Sequence, residues 1–169
     1  KKEKKEKKPK APAAAPAAED APPVTKLDMR VGKILKAWKH EDSEKLWCEE
    51  IDIGEDKPRL IASGLRQFYA DEADLTGRKV LVLANLKARN LGGFKSEGMV
   101  LCASNDAHDV VKFVEVPAEA EPGERVTFEG MEGPPATPAQ VQKKKVLETV
   151  LPDLVTGDAG VCTYKGSPF

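Results

Sequence analysis

Lys79-Val80-Leu81-Val82-Leu83-Ala84 and Gly98-Met99-Val100-Leu101-Cys102-Ala103 are joined by Asn85-Leu86-Lys87-Ala88-Arg89-Asn90-Leu91-Gly92-Gly93-Phe94-Lys95-Ser96-Glu97. The two outer runs are apolar, rich in β-formers and of strand length, with turn residues at their ends, so they predict buried strands. The 13-residue connection carries Lys87, Arg89 and Lys95 and no carboxylate before Glu97. A sheet that holds amides, cations and glycines between two buried strands either presents them to an anion or simply ends in a solvated hairpin. The loop alone leaves both open.

Working outward, Met29-Arg30-Val31-Gly32-Lys33-Ile34-Leu35-Lys36-Ala37-Trp38 predicts a long first strand. Its alternation slips at Gly32, the place expected for a bulge or sharp coil. Residues 46–53, ended by Gly54, predict a second strand, and residues 58–63, closed by Gly64, a third. Phe68, Ala70, Ala73 and Leu75 recur at helical spacing, which predicts a short helix over 67–75 before Gly77. Three strands, a helix and two strands is the order of a five-stranded OB-fold barrel, although spacing alone fits other small barrels.

Beyond an apolar run at 110–116, the signals thin. A short strand is predicted at 122–128, a proline-marked loop follows, and a helix at 142–151 is stopped by Pro152; a last strand lies at 161–164. About fifty residues with so little apolar content do not make a core alone. They are expected to pack on the barrel. The expected fold is mainly β: a Lys-rich tail and Ala/Pro linker over 1–26, a barrel over 27–116, and a small α/β extension over 117–169.

The chain has 27 basic and 28 acidic residues, a net charge of −1 that hides a division. Residues 1–10 carry +5, 11–26 carry −1, 27–132 carry −6 and 133–169 carry +1. A polyanion partner must therefore be gripped by the tail and by local patches, not by the field of the whole body. The tail repeats Lys-Lys-Glu, and its Glu3–Lys7 pair does not offset the cost of nucleating so short a helix. Pro9, Pro12, Pro16, Pro22 and Pro23 make 9–23 an extended linker. Cys48, Cys102 and Cys162 are widely spaced and read as reduced, buried thiols of a cytoplasmic protein; no metal or cofactor is expected. His40 and His108 read as surface or turn residues, and Trp38 and Trp47 as barrel packing. No run approaches the ~20 apolar residues of a membrane span. The chain begins with lysine and shows no signal-peptide run, so it is expected to be a piece of a longer protein. It carries no glycine-rich nucleotide loop, paired carboxylate site or nucleophile–histidine set, which argues against an enzyme.

Taken together, Asp28-x-Arg30-Val31-Gly32-x-Ile34, His40, Leu46 through Gly54, Pro58-Arg59, Ser63-Gly64-Leu65, Asn85-Leu86-Lys87 and Ser96-x-Gly98-Met99 resemble the tRNA-binding OB domain appended to some aminoacyl-tRNA synthetases. Pro122-Gly123-Glu124-Arg125, Lys143-Lys144-Lys145 and Thr163-Tyr164-Lys165-Gly166-x-Pro168-Phe169 resemble the longer branch of that family. That branch is typified by endothelial monocyte-activating polypeptide II and the C-terminal domain of animal tyrosyl-tRNA synthetase. The Lys-rich, Ala/Pro-rich tether looks most like that of a plant cytosolic methionyl-tRNA synthetase appendix. The resemblance implies a non-catalytic module that grips the outer surface of tRNA with little sequence preference, in cis with a synthetase catalytic domain. It also implies a monomer, the extension imitating the second subunit of dimeric short-branch relatives. A protein-interaction or cytokine-like role of the same family is the alternative.

On this reading Lys87, Arg89 and Lys95 contact phosphates, with Arg89 able to do so bidentately. Lys33, Lys36 and Arg59 are candidates on neighbouring strands, and Lys1, Lys2, Lys4, Lys5, Lys7 and Lys8 in the tail. Asn85 and Ser96 either hydrogen-bond RNA or tie down the loop, and Met99 either meets a base or sits in the core. Lys143, Lys144 and Lys145 either contact RNA or are a solvated helix end. Arg30 beside Asp28 reads as a structural ion pair. The family loop commonly runs Asn-Leu-Lys-Pro-x-Lys-Met-Arg-Gly; here Ala88, Asn90, Leu91 and Gly92 replace its proline, second lysine, methionine and arginine, and Glu41 replaces a proline after the histidine. With two cations fewer, the domain alone is expected to bind weakly.

Overall fold

The computed structural model describes residues 21–169. Its strands are β1 (Met29–Lys39), β2 (Trp47–Asp52), β3 (Arg59–Ser63), β4 (Lys79–Leu83), a short pair β5 (Arg89–Leu91) and β6 (Phe94–Ser96), then β7 (Met99–Ser104) and β8 (Val111–Phe113). Six of them form an antiparallel sheet in the order β3-β2-β1-β4-β7-β8. The long β1 serves two partners: Met29 to Lys33 pair with β4, and Lys33 to Lys39 pair with β2. That sharing coils the sheet, and it closes where β3 meets the end of β6 and the residue after it. There the Ala62 N–H donates to Ser96 Oγ at 3.0 Å, the Glu97 N–H to the Leu60 carbonyl at 2.8 Å, and Arg59 Nη1 to the carbonyls of Ala84 and Glu97.

The register slip falls at Leu35, between Ile34 and Lys36, and not at Gly32. Gly32 stays in regular pairing with Val80 and faces the barrel interior, where a Cβ would lie 2.8 Å from Ile51 Cγ2. The glycine answers crowding, and the extra residue is the exposed Leu35.

β4 is buried on both faces. Val80 and Val82 point into the barrel with Ile34, Trp47, Ile51 and Ile61. Leu81 and Leu83 point outward with Met29 and Val31 into a second core, completed by Phe128, Val141, Val146, Val150 and Tyr164 of the extension. Two-sided burial explains why 80–84 is an unbroken apolar run with no polar alternation.

The extension docks along the free edge of β1. The Val31 N–H donates to the Glu124 carbonyl, the Gly123 N–H to that of Val31, and the Val126 N–H to that of Met29, each at 2.8 Å. The strand expected at 122–128 is thus an irregular ladder on β1. The helix expected at 142–151 is two: α1 (Pro138–Lys143), closed by a Thr137–Gln140 capping box, and α2 (Val146–Val150), with Lys145 left-handed between them at φ 49°. Val141 and Val146 are five residues apart, which a continuous helix would set about 140° apart; the break returns both to the core. Pro152 lies inside the following 3-10 turn rather than stopping a helix. β9 (Leu154–Thr156), β10 (Cys162–Tyr164) and β11 (Ser167–Pro168) complete a small sheet.

No α-helix forms over 67–75. A turn after Leu65 and one 3-10 turn, Glu72–Asp74, take its place. Asp71 is extended (φ −108°, ψ 141°), which interrupts any helix. The apolar residues go to separate tasks: Leu75 plugs the barrel, and the Tyr69 ring lies 4.7 Å from that of Phe113. Before β1, the 3-10 turn Pro23–Lys26 buries Val24 and Thr25 against the second core.

Candidate nucleic-acid interface

The opening connection is a hairpin over much of its length. Arg89 pairs with Ser96, Asn90 with Lys95 and Leu91 with Phe94. Gly92 and Gly93 turn it at φ 57° and 85°, a pair of left-handed residues that suits a tight two-residue turn and that glycine adopts without strain. His40, after β1, holds the hairpin down. The Asp42 N–H donates to Nδ1 at 3.1 Å, so Nε2 carries the proton and donates to the Leu91 carbonyl at 3.0 Å. His40 is therefore a buried clamp, not a surface residue. A Cβ on Gly92 would lie 2.9 Å from His40 Cε1, so no arginine fits at that position as this hairpin is built.

The sequence candidates divide by burial. Lys87, Arg89, Lys95, Lys33, Lys36, Lys143, Lys144 and Lys145 are all exposed. Lys87, Arg89 and Met99 come together with Ser63, Phe68 and Gln142 around a cleft of about 850 Å³ between the barrel and α1. Lys143 to Lys145 follow directly at the end of α1. Lys33 and Lys36 do not line this cleft; they lie on β1. Lys95 is largely exposed and sits 3.4 Å from Glu97. Lys1, Lys2, Lys4, Lys5, Lys7 and Lys8 lie outside the described residues.

Three candidates are committed to holding the site together. Asn85 is buried: its Oδ1 accepts from the Asp28 N–H at 2.8 Å, and its Nδ2 donates to the carbonyls of Lys26 and Ala136 at 2.8 and 2.9 Å. It joins barrel, N-terminal turn and extension. Ser96 is buried at the barrel closure, accepting from Ala62 and donating to the Gly98 carbonyl at 3.1 Å. Arg59 closes the barrel with Nη1, while Nε and Nη2 grip Glu55 at 2.8 and 2.6 Å, holding that carboxyl below its usual range. Arg30 pairs with Asp28 through Nε at 3.0 Å and Nη2 at 2.7 Å, the structural ion pair its position suggested.

Glu49 was not among the candidates, although the inward alternation Trp47, Glu49, Ile51 marks it. It is 0% exposed inside the barrel. Ser63 Oγ donates to Oε1 at 2.6 Å, and Oε2 has no partner. Burial pushes its carboxyl up to about 7, with the Ser63 bond pulling the other way. Burial, reinforced by Glu49, likewise pushes the Cys102 thiol up to about 12. Such a thiol is inert.

A coiled antiparallel barrel with a clamped cationic hairpin at one side is a nucleic-acid-binding OB module. This chain belongs to the tRNA-binding domain family: residues 29–125 match the family described as "Putative tRNA binding domain". It is 47% identical over 152 residues to "Probable methionine--tRNA ligase" of Oryza sativa subsp. japonica, covering 90% of this chain and 19% of that protein. It is 41% identical over 152 residues to "Aminoacyl tRNA synthase complex-interacting multifunctional protein 1" of Cricetulus griseus, covering 89% of this chain and 41% of that one. The chain thus spans less than half the length of either relative. The crystal structure of the C-terminal domain of Plasmodium vivax p43 superposes with a TM-score of 0.77 at 36% identity, covering 85% of this chain and 87% of that one. Among the described residues, no helix is long and apolar enough to cross a membrane.

Proposed function

We propose that this chain is the tRNA-binding module of a cytoplasmic aminoacyl-tRNA synthetase, one that charges methionine, and that it raises tRNA affinity in cis without chemistry of its own. The observation that carries the reading is the grouping of exposed Lys87 and Arg89 at a cleft also lined by Gln142, the residue before exposed Lys143 to Lys145, on a body whose residues 27–132 carry −6. Cations gathered against the prevailing charge mark a local anion site. Phosphate contacts carry no sequence information, so the grip is indifferent to tRNA identity and selection is left to the catalytic domain. Lys95, Lys33 and Lys36 extend the contact along the barrel, and the tail lysines supply the rest. The extension covers the outward face of β1 and β4, which leaves no apolar face there for a second barrel, and the module acts as a monomer.

Filter binding with unfractionated tRNA tests this. If about five phosphates are neutralised, log K falls with log salt at a slope near −4. Lys87→Ala with Arg89→Ala reduces the slope's magnitude by roughly 1.5, and deleting residues 1–10 flattens it further. Absence of binding at 50 mM salt overturns the reading. A protein-docking role, favoured by the acidic barrel, would then stand in its place.

A further inference from the structure

Trp38 and Phe94 are packed into neither hydrophobic core. Their rings meet edge to face, centroids 6.1 Å apart at 72°, and both are only partly buried. The second tryptophan behaves differently: Trp47 is 0% exposed and donates Nε1 to the Tyr69 carbonyl at 2.8 Å. Sequence alternation treats the two alike as packing, but only Trp47 packs. Ala37 is buried in the barrel core, so its neighbour Trp38 stands on the outer face of β1.

The pair is held in place. His40 meets Phe94 edge-on at 6.2 Å, and its bond to Leu91 fixes the hairpin on which Phe94 sits. The two rings therefore stand between the turn after β1 and the β5–β6 hairpin, the two connections that flank the oligonucleotide-binding face of an OB barrel. Cations flank them: Lys36 Nζ lies 5.6 Å above the Trp38 ring, and Lys95, beside Phe94, has a side chain 71% exposed. Carboxylates offset these. Glu50 faces Lys36 across the β1–β2 ladder, and Glu97 lies 3.4 Å from Lys95 Nζ. Each cation is thus partly offset by a carboxylate, and the accessible part of the Trp38 ring offers a contact of a different kind.

We propose that Trp38, held edge to face against Phe94, forms a stacking platform for an unpaired nucleobase of RNA, with Lys36 and Lys95 taking its flanking phosphates. The proposal rests on the RNA-binding reading and adds to it a contact that salt does not screen. Stacking on an aromatic side chain tolerates any base, because every base has a π face, so the platform is compatible with a grip indifferent to tRNA identity.

The test uses the full chain, unfractionated tRNA, a decauridylate, and a decamer of the same backbone carrying abasic sites. Wild type binds the base-bearing decamer roughly 5- to 150-fold more tightly than the abasic one. Stacking also quenches the emission of Trp38 over the constant background of buried Trp47. Trp38→Leu abolishes the preference and weakens tRNA binding while leaving the salt slope unchanged; Trp38→Phe retains most of the preference and reports that the fold is intact. Equal affinity of wild type for the two decamers, or a Trp38→Leu chain that keeps the preference, overturns the platform. If tRNA still binds with a slope that depends on Lys87 and Arg89, the platform alone has failed. If tRNA does not bind at low salt, both readings fall together.

Discussion

Replacing Glu49 by glutamine should make the protein more stable at high pH. The carboxyl is wholly enclosed, Ser63 Oγ donates to Oε1 at 2.6 Å, and Oε2 has no partner. The protonated form gains an O–H and loses the charge that burial penalises, which moves its pKa from 4.5 to about 7. The folded state therefore holds this proton more tightly than the unfolded chain does. Its contribution to stability is complete below pH 4.5 and is lost progressively as pH rises through 7. That displacement corresponds to roughly 3 kcal/mol across the window. Glutamine keeps the volume and an oxygen for Ser63 to donate to, but does not ionise. Urea unfolding at pH 5 and pH 8 should show wild type losing about 2 to 3 kcal/mol more than Glu49→Gln over that interval. A wild type and a variant that change in parallel between those pH values would refute the reasoning, because Glu49 would then be ionised or solvated in the fold at both.

Asn85→Ala should cost about 3 kcal/mol, since it strands the buried Asp28 N–H and removes the donor to the Lys26 and Ala136 carbonyls; a urea midpoint within error of wild type would show that the amide is dispensable. Gly32→Ala should cost about 1 to 3 kcal/mol by overpacking, with its new methyl 2.8 Å from Ile51 Cγ2 and 3.1 Å from Val82 Cγ2. Thermal melting checks it, and an unchanged midpoint would mean the barrel relaxes at that point.

The strands were legible because alternation and two-sided burial leave direct marks on sequence. Trp47, Glu49, Ile51 and Ile53 point inward at every second residue, and the buried run of β4 has no polar face because it has no solvent face. What sequence concealed was decided by distant partners. His40 is recognisable as a clamp only with Leu91 in place, 51 residues along the chain. Asn85 has the residue type of an RNA contact and is used up by carbonyls at 26 and 136. The spacing of Phe68, Ala70, Ala73 and Leu75 mimics a helix, whereas Tyr69 and Leu75 each answer to a different part of the barrel. The break at Lys145 follows the same logic, since the phase of a helix is set by the surface it must meet. Within the candidate site, sequence named the exposed cations together with Asn85, Ser96 and Arg59, which only burial separates from them.

One strand belonging to two cores limits how this module can be cut or grafted. Ending the chain after the barrel would strip the cover from Met29, Val31, Leu81 and Leu83 at once, leaving a sticky face on an otherwise acidic body. Fusion to a new host enzyme therefore succeeds only when the whole unit from Val24 to Phe169 travels together. A protein engineer choosing boundaries for a portable RNA handle should therefore cut ahead of Val24 and nowhere inside the unit.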